Sequence, residues 1–194
     1  MAEKKKLILA SASPRRHEIL ESVGLSHEIS VPDVDETVDG GLGCEDAVKE
    51  IARRKALAAL GTAPVESVVL AADTMVEVDG KALGKPTSGA DACRMLESLS
   101  GKTHRVFTGI AVSNGKKTVS EAVCTSVTVR ELRRDEIEGY VATGEPLDKA
   151  GAYGIQGIGG AFVSHIDGDY FNVVGLPICR VVEILRDFGI SLFE

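Results

Sequence analysis

The amino-acid sequence predicts an α/β fold in which helices pack against a mixed, twisted sheet. Short apolar runs typical of buried strands alternate with amphipathic segments that repeat at the helical period. Asp79-Gly80, Asn114-Gly115 and Asp167-Gly168 lie between strand-like segments, and such pairs favour tight hairpins. Because hairpins interrupt the alternation of strands and helices, we expect a mixed sheet and not a regular doubly wound one.

The first half of the chain is predicted to begin with a buried strand at residues 6–10. Ser13 before Pro14 is typical of a helix start, so a helix follows that strand. An amphipathic repeat predicts a second helix over residues 45–60. The continuous apolar run at 67–72 is typical of a central strand that is covered on both faces.

The rest of the chain is predicted to contain hairpins, helices and one long loop. The remaining strands are expected at 27–31, 75–78, 81–83, 106–113, 117–129, 162–166 and 170–174. The remaining helices are expected at 88–99, 132–143 and 177–188. Residues 144–160 are rich in glycine, and a loop of that length suggests a functional role.

Composition and charge exclude several classes of protein. Of the 194 residues, 44% are hydrophobic and 26% are charged, which is unlike a disordered chain or a coiled coil and predicts a single domain over residues 1–194. The net charge of −7 argues against a nucleic-acid partner, which would require a basic surface. Neither a signal peptide nor an apolar run of about 20 residues is present, so we expect a cytoplasmic protein without a membrane partner.

The segment Ser11-Ala12-Ser13-Pro14-Arg15-Arg16 is a candidate anion site. A strand runs into small residues and then into a helix start, where backbone N–H groups are exposed. Arg15 and Arg16 add guanidinium groups, which suit phosphate. A capped helix with surface arginines would show the same local pattern, so both interpretations stay open.

Asp73 follows directly on the apolar run at 67–72. Ligands of open α/β sheets bind at the carboxyl ends of strands, so Asp73 is a candidate to bind a divalent metal or to accept a proton from water. An aspartate that caps a turn is the alternative. Lys85, beyond the next hairpin, could add a cation to the same edge, and a solvated surface charge is its alternative.

Two further segments carry candidate ligands. The acidic segment 33–36 precedes a helix with the basic segment 53–55, and a solvated loop beside a solvated helix face is the simpler interpretation for most of these residues. In the glycine-rich segment, Gln156 offers an amide that can pair with the edge of a nucleobase. A plain flexible loop is the alternative there, although Tyr153 and Ile155 beside Gln156 argue against it.

Six stretches of the chain together resemble the Maf family of nucleoside triphosphate pyrophosphatases. In order they are SASPRR, AADT, GKP, LSGKTHRVFTGIAV, GEPLDKAGAYGIQGIGGAFV and NVVGLPI, and the match extends over nearly the whole chain. The resemblance implies a fold of the inosine-triphosphate-pyrophosphatase type (Maf/Ham), with two lobes around a deep cleft. It also implies hydrolysis between the α and β phosphates, a divalent cation (Mg²⁺ or Mn²⁺) and, by analogy, a homodimer.

The resemblance assigns roles residue by residue. Asp73 matches the catalytic acid–base residue, and Glu36 matches a carboxylate on the metal side, so Glu36 and Asp73 are the expected metal ligands. The phosphate-binding positions match Ser11, Arg15, Arg16, Lys55 and Lys85.

Substrate choice in the family is linked to three positions, which match Arg15, Thr74 and Gln156. A branch that acts on 7-methyl-GTP has Trp, Gln and Glu there, so this chain is similar to the branch that acts on dTTP and UTP, with modified pyrimidine nucleotides as further candidates. Two alternatives stay open: a 7-methyl-GTP pyrophosphatase, and a nucleotide-sensing regulator of septum formation or cell division. Asp73 favours an enzyme, because a sensor has no need of an acid–base residue.

Overall fold

The structure is a computed structural model that describes residues 5–38 and 40–193. Its strands are β1 (Leu7–Ala10), β2 (Glu28–Ile29), β3 (Val68–Val78), β4 (Lys81–Leu83), β5 (Thr103–Ser113), β6 (Thr118–Val129) and β7 (Val163–Asp167). Its α-helices are α1 (Pro14–Ser22), α2 (Cys44–Leu60), α3 (Gly89–Leu99), α4 (Arg134–Ala142), α5 (Tyr170–Val174) and α6 (Ile178–Asp187). Among the described residues, no helix is both long and apolar enough to cross a bilayer.

The strands form a mixed sheet in the order β2-β1-β3-β5-β6-β7, and β4 pairs with β3. β1 is parallel to both β2 and β3, and Ala10 at its end lies opposite Ala71 of β3. β4 is antiparallel to β3 and β7 is antiparallel to β6. The predicted mixed sheet with flanking helices is therefore confirmed.

The chain divides into two compact units that alternate along the sequence. The first unit comprises the described residues up to Asp73, residues 108–123 and the segment from Gly175 onward, and the second comprises residues 74–107 and 124–174. The deep cleft expected from the family resemblance stays a prediction.

Small residues of the first unit let α2 lie very close to the sheet. Ala52 and Ala56 of α2 are fully buried with Ala71 and Ala111. Gly109 of β5 is part of the same contact, since a Cβ atom at this position would lie 2.2 Å from the carbonyl oxygen of Val48. Any side chain at 109 would have to push the helix away from the strand.

The second unit has its own core of apolar and aromatic side chains. Leu96 and Leu99 of α3, Val127 of β6 and the rings of Tyr140 and Phe162 are buried together. The two rings meet edge to face, with their centroids 5.0 Å apart. Such contacts add to the stabilisation that burial of the rings provides.

Three sequence predictions about the elements are wrong or incomplete. The strand expected at 170–174 is the helix α5, because the Asp169 carboxylate accepts hydrogen bonds from the backbone N–H groups of Phe171 and Asn172 and starts a helix there. The strand before it pairs with β6 and not with this segment. The expected loop at 144–160 contains short 3₁₀ turns, and the strand expected at 27–31 is paired only over Glu28–Ile29.

His104 of β5 is buried in the second unit beside Tyr153. Its Nε2 atom lies 2.8 Å from the Tyr153 hydroxyl oxygen, and its Nδ1 atom has no hydrogen-bond partner among the residues described. Burial lowers the pKa of His104 to about 4, so the ring stays neutral in the folded protein at pH values where an unfolded histidine is protonated.

The lowered pKa of His104 predicts that the protein loses stability in acid, and that replacing His104 reduces this loss. Between pH 6.5 and 4 the unfolded state binds a proton at His104 that the folded state does not, so the free energy of unfolding falls as the pH falls, by roughly 2–3 kcal/mol at pH 4.5. His104→Gln cannot titrate and should show a smaller loss in urea unfolding at pH 7 and pH 4.5. The exposed His165→Gln is the control, and equal losses in the His104→Gln and wild-type proteins would contradict the prediction.

Candidate functional site

Ser11 and Arg16 form a buried polar contact where β1 passes into α1. The Ser11 hydroxyl oxygen accepts a hydrogen bond from Nη1 of Arg16 at 3.0 Å and one from the backbone N–H of Ser13 at 3.2 Å. Nε of Arg16 donates to the carbonyl oxygen of Gly175 at 2.7 Å. These contacts fix the guanidinium group in place, which preorganises a fork suited to phosphate.

The charge of Arg16 is balanced by its neighbours in the first unit. Burial lowers the pKa of the Arg16 guanidinium, and the negative charge of Asp73 opposes that shift. The positive charge of Arg15 lowers the Arg16 pKa further, and Glu36 raises it. Arg15, Glu36 and Asp73 therefore all act electrostatically on Arg16, although the four residues come from three separate segments of the chain.

Asp73 lies inside β3 and not beyond its end, contrary to the sequence prediction. β3 continues to Val78 because β4 pairs with its second half. The neighbouring strand β1 ends at Ala10, opposite Ala71, so Asp73 is two residues past the last β1–β3 pair. Asp73 is therefore close to the carboxyl end of β1, and not to that of its own strand. The Asp73 side chain is nearly buried.

Lys55 connects two carboxylates of the first unit. Its ammonium nitrogen lies 2.8 Å from Oδ1 of Asp73 and 2.9 Å from Oε1 of Glu36. The Lys55 side chain is only 12% exposed and that of Asp73 only 13%, whereas that of Glu36 is 59% exposed. The pair with Asp73 is thus shielded from solvent, and Glu36 reaches the same ammonium group from the open side.

The loop that carries Glu36 is held by Arg54, for which the sequence analysis favoured a solvated helix face. Nη1 of Arg54 donates to the carbonyl oxygens of Asp35 and Thr37, at 3.3 and 2.7 Å, on either side of Glu36. The Glu50 carboxylate accepts hydrogen bonds from Arg53 and Arg54, and these bonds lower the pKa of Glu50 to about 2. Arg53 therefore binds Glu50, and Arg54 binds both Glu50 and the loop. Of the basic segment 53–55, Lys55 is the residue that pairs with Asp73.

The remaining predicted site residues belong to the second unit. Thr74 is half-buried in β3, and Lys85 and Gln156 are exposed. The Lys85 segment lies next to the glycine-rich segment, because the backbone N–H of Gly151 donates to the carbonyl oxygen of Gly84 at 3.1 Å.

The expected metal ligands are Glu36 and Asp73. Across residues 5–38 and 40–193 there is no group of three or more His, Cys, Asp or Glu side chains that could hold an ion. Glu36 and Asp73 do converge, since both have a carboxylate oxygen within hydrogen-bond distance of Lys55. Two carboxylates without a complete protein cage fit a hard cation such as Mg²⁺, which takes its other ligands from substrate phosphates and water.

A comparison with family sequence profiles identifies the chain. The profile described as "Maf-like protein" matches residues 6–188. The chain belongs to the Maf family.

Two Bacillus relatives in the family are similar over nearly their whole length and carry the name dTTP/UTP pyrophosphatase. The protein from Bacillus cytotoxicus is 52% identical over 184 residues, which cover 95% of this chain and 96% of the relative. A protein from Bacillus cereus is 50% identical over 188 residues, which cover 97% and 92%.

A solved structure supports the fold that the Maf resemblance implied. A HAM1 protein from Coxiella burnetii superposes with a TM-score of 0.50 over 94% of this chain and 99% of its own, at 18% sequence identity. At that identity the likeness concerns the fold alone. The predicted Maf/Ham type of α/β fold is confirmed.

Proposed function

We propose that this protein hydrolyses dTTP and UTP to the nucleoside monophosphate and pyrophosphate. The names of its near-full-length relatives support this substrate choice. Within the structure, the observation that carries the proposal is the shared ammonium group of Lys55 between Asp73 and Glu36, in the unit that also holds the Ser11–Arg16 contact. We infer a single functional domain that acts in the cytoplasm, as a homodimer, without a nucleic-acid or membrane partner.

The charges of the first unit suit a triphosphate. A nucleoside triphosphate carries about four negative charges, so a protein with a net charge of −7 must present cations locally. Arg15, Arg16 and Lys55 provide them in the first unit, and Ser11 adds a hydroxyl group. Lys85 is the phosphate-binding residue proposed for the second unit.

Asp73 is the proposed general base. Hydrolysis of a phosphoanhydride needs an activated water, charge neutralisation and correct positioning, and it needs no covalent intermediate on the protein. Asp73 is nearly buried and its Oδ1 atom accepts a hydrogen bond from Lys55, which keeps the carboxylate oriented. Its second oxygen, Oδ2, is the atom proposed to accept a proton from the attacking water.

Glu36 and Asp73 are the proposed ligands of a divalent cation, Mg²⁺ or Mn²⁺. When bound, such an ion would neutralise charge on the phosphates. Arg54 then has a supporting role, because it fixes the backbone on both sides of Glu36.

Base choice is assigned to Gln156, with Thr74 and Arg15 as the other specificity residues. Uracil and thymine present a carbonyl, an N–H and a carbonyl along one edge, and a glutamine amide can accept from the N–H and donate to a carbonyl. Guanine presents donors that a carboxylate satisfies better, which is why a glutamate at 156 would favour it.

The function is tested by comparing kcat/KM for dTTP, UTP, CTP and 7-methyl-GTP. We expect dTTP and UTP to exceed the other two by tens-fold, the size of one bidentate base contact. The triple variant Gln156→Glu, Thr74→Gln and Arg15→Trp should move activity toward 7-methyl-GTP. A wild-type preference for 7-methyl-GTP would overturn the assignment, and binding of dTTP without turnover would favour a sensor.

Removing a phosphate-binding cation should weaken catalysis measurably. Arg16→Ala and Lys85→Ala are expected to raise KM for dTTP, lower kcat, or both, because each removes a positive charge from the triphosphate site. Arg16→Lys keeps the charge of this buried residue and should be less impaired. Lys117→Ala is the control, since Lys117 forms an exposed ion pair with Asp187 that contributes little. If Lys85→Ala behaves like Lys117→Ala in steady-state kinetics, Lys85 does not contact the substrate.

A further inference from the structure

Gln156 is exposed on a short segment, residues 154–159, that begins with a tight turn. The backbone N–H of Gly157 donates to the carbonyl oxygen of Gly154 at 3.2 Å, so Gln156 is the third residue of that turn. We propose that Tyr140 and Glu145 are positioning residues that hold this segment and thereby set the preference for uracil and thymine. The role in base choice rests on the proposed function, while the contacts themselves do not.

Glu145 holds the far end of the segment. Its Oε2 atom accepts a hydrogen bond from the backbone N–H of Ile158 at 3.0 Å, and its Oε1 atom accepts one from the N–H of Gly159 at 3.2 Å. Burial raises the pKa of Glu145, but these hydrogen bonds and the one from Tyr140 outweigh it and hold the pKa below its ordinary value. The carboxylate is therefore charged and makes the stronger, charge-assisted type of hydrogen bond.

Tyr140 connects the near end of the segment to the same carboxylate. Its hydroxyl oxygen accepts a hydrogen bond from the backbone N–H of Gly154 at 3.1 Å and donates to Oε1 of Glu145 at 2.9 Å. The ring is buried in the core of the second unit and packs on Phe162, so the hydroxyl group has a fixed position. The near end of the segment is thus tied to the buried Tyr140, and the far end to Glu145, which Tyr140 holds by a hydrogen bond.

The glycines of the segment fit this arrangement closely. A Cβ atom at Gly157 would lie 2.4 Å from Oε1 of Glu145, and one at Gly159 would lie 2.7 Å from the Tyr140 hydroxyl oxygen. The backbone can approach the carboxylate and the hydroxyl only because these side chains are absent. The glycine-rich composition of the segment therefore reflects its attachment to Tyr140 and Glu145, and not flexibility.

Holding the backbone of Gln156 matters for selectivity more than for turnover. An amide distinguishes pyrimidine edges only when its donor and acceptor are both correctly placed, so a small displacement of the turn weakens discrimination. Tyr140 and Glu145 have no part in the proposed water activation. Their loss should change the ratio of kcat/KM values for two bases more than kcat for the preferred one.

The test is a double-mutant cycle with dTTP and CTP as substrates. Glu145→Ala should lower the dTTP:CTP ratio of kcat/KM about tenfold, the loss expected when one base contact is misplaced. Tyr140→Phe, which keeps the buried ring, and Glu145→Gln, which keeps one acceptor, should each show a smaller fall. In a Gln156→Ala background, Glu145→Ala should lower the ratio no further. Glu138→Ala is the matched control, since Glu138 lies on the surface of α4 and pairs with Arg134.

Each outcome decides something specific. The dTTP:CTP ratio stays unchanged if both substrates lose nothing or lose equally. Such a result in folded Glu145→Ala and Tyr140→Phe proteins would overturn the proposal. A further fall of the ratio when Glu145→Ala is added to Gln156→Ala would also overturn it. Hydrogen exchange gives a readout that does not depend on activity. The amides of Ile158 and Gly159 should exchange faster in Glu145→Ala, and that of Gly154 should exchange faster in Tyr140→Phe. Unchanged exchange would contradict the contacts. A wild type that does not prefer dTTP over CTP would instead overturn the proposed function, whatever the variants do.

Discussion

Replacing Asp73 with asparagine is expected to lower kcat for dTTP by about 100-fold to 10,000-fold, the usual cost of losing a general base. Asparagine keeps the shape of the side chain, but it cannot accept the proton of the attacking water and it carries no charge for a cation. The change should be visible in kcat as well as in kcat/KM, because proton abstraction occurs in the transition state. Pyrophosphate release at saturating dTTP measures it directly.

A matched control separates this effect from a general loss of a carboxylate. Asp187→Asn makes the same substitution at an exposed position of the first unit, where the side chain pairs with Lys117, and it should leave kcat unchanged. Thermal unfolding of the Asp73→Asn protein should show a cooperative transition. A folded Asp73→Asn protein with near-normal turnover would refute the assignment of Asp73 as the base.

Most of the fold followed from local signals in the sequence. The apolar run that forms β3 and the amphipathic repeat that forms α2 are strong patterns, and both are confirmed. Asp79-Gly80 does form the predicted turn, with φ of 49° at Asp79 and 74° at Gly80, which is the backbone that such pairs favour. These features depend on a few neighbouring residues, so the sequence alone was sufficient to predict them.

Two errors about the elements have different causes. The segment of α5 has strand-like composition, but Asp169 starts a helix there, and the buried Asn172 donates to the carbonyl oxygen of Val106 and to the hydroxyl of Thr125, far away in sequence. These hydrogen bonds outweigh the local strand preference. Asp73 was expected beyond a strand end because residues 67–72 and 75–78 were predicted as separate strands, whereas β3 runs through both.

The candidate site was predictable in its charged residues and not in their supports. The sequence patterns and the family resemblance together indicated Arg16, Lys55 and Asp73. The carbonyl oxygen of Gly175 that holds Arg16, and the Arg54 guanidinium that holds the Glu36 loop, depend on contacts between segments that no local pattern reveals. Glu145 was missed for the same reason, although its place in a glycine-rich stretch was a usable signal.

Replacing Lys55 with methionine is expected to lower kcat/KM for dTTP about 100-fold or more. The substitution keeps most of the buried stem and removes the charge that Asp73 and Glu36 share. Asp73 and Glu36 then lose the ammonium group between them, and the site has one positive charge fewer to attract a substrate with about four negative charges. The contact with Asp73 is expected to account for most of this loss, since that pair is shielded from solvent, whereas the exposed contact with Glu36 is worth little.

Two other lysine variants make this expectation specific. Lys49→Met changes the same helix, α2, at a lysine that pairs with Asp46, and it should leave kcat/KM unchanged. Lys55→Arg restores the charge with a planar group in place of a point charge, so it should recover part of the activity. Because Lys55→Met also leaves Asp73 with Arg16 as its neighbouring cation, the protein should still fold, at reduced stability. If folded Lys55→Met retained kcat/KM within about threefold of wild type, a range that corresponds to less than 1 kcal/mol, the shared ammonium group would have no part in catalysis.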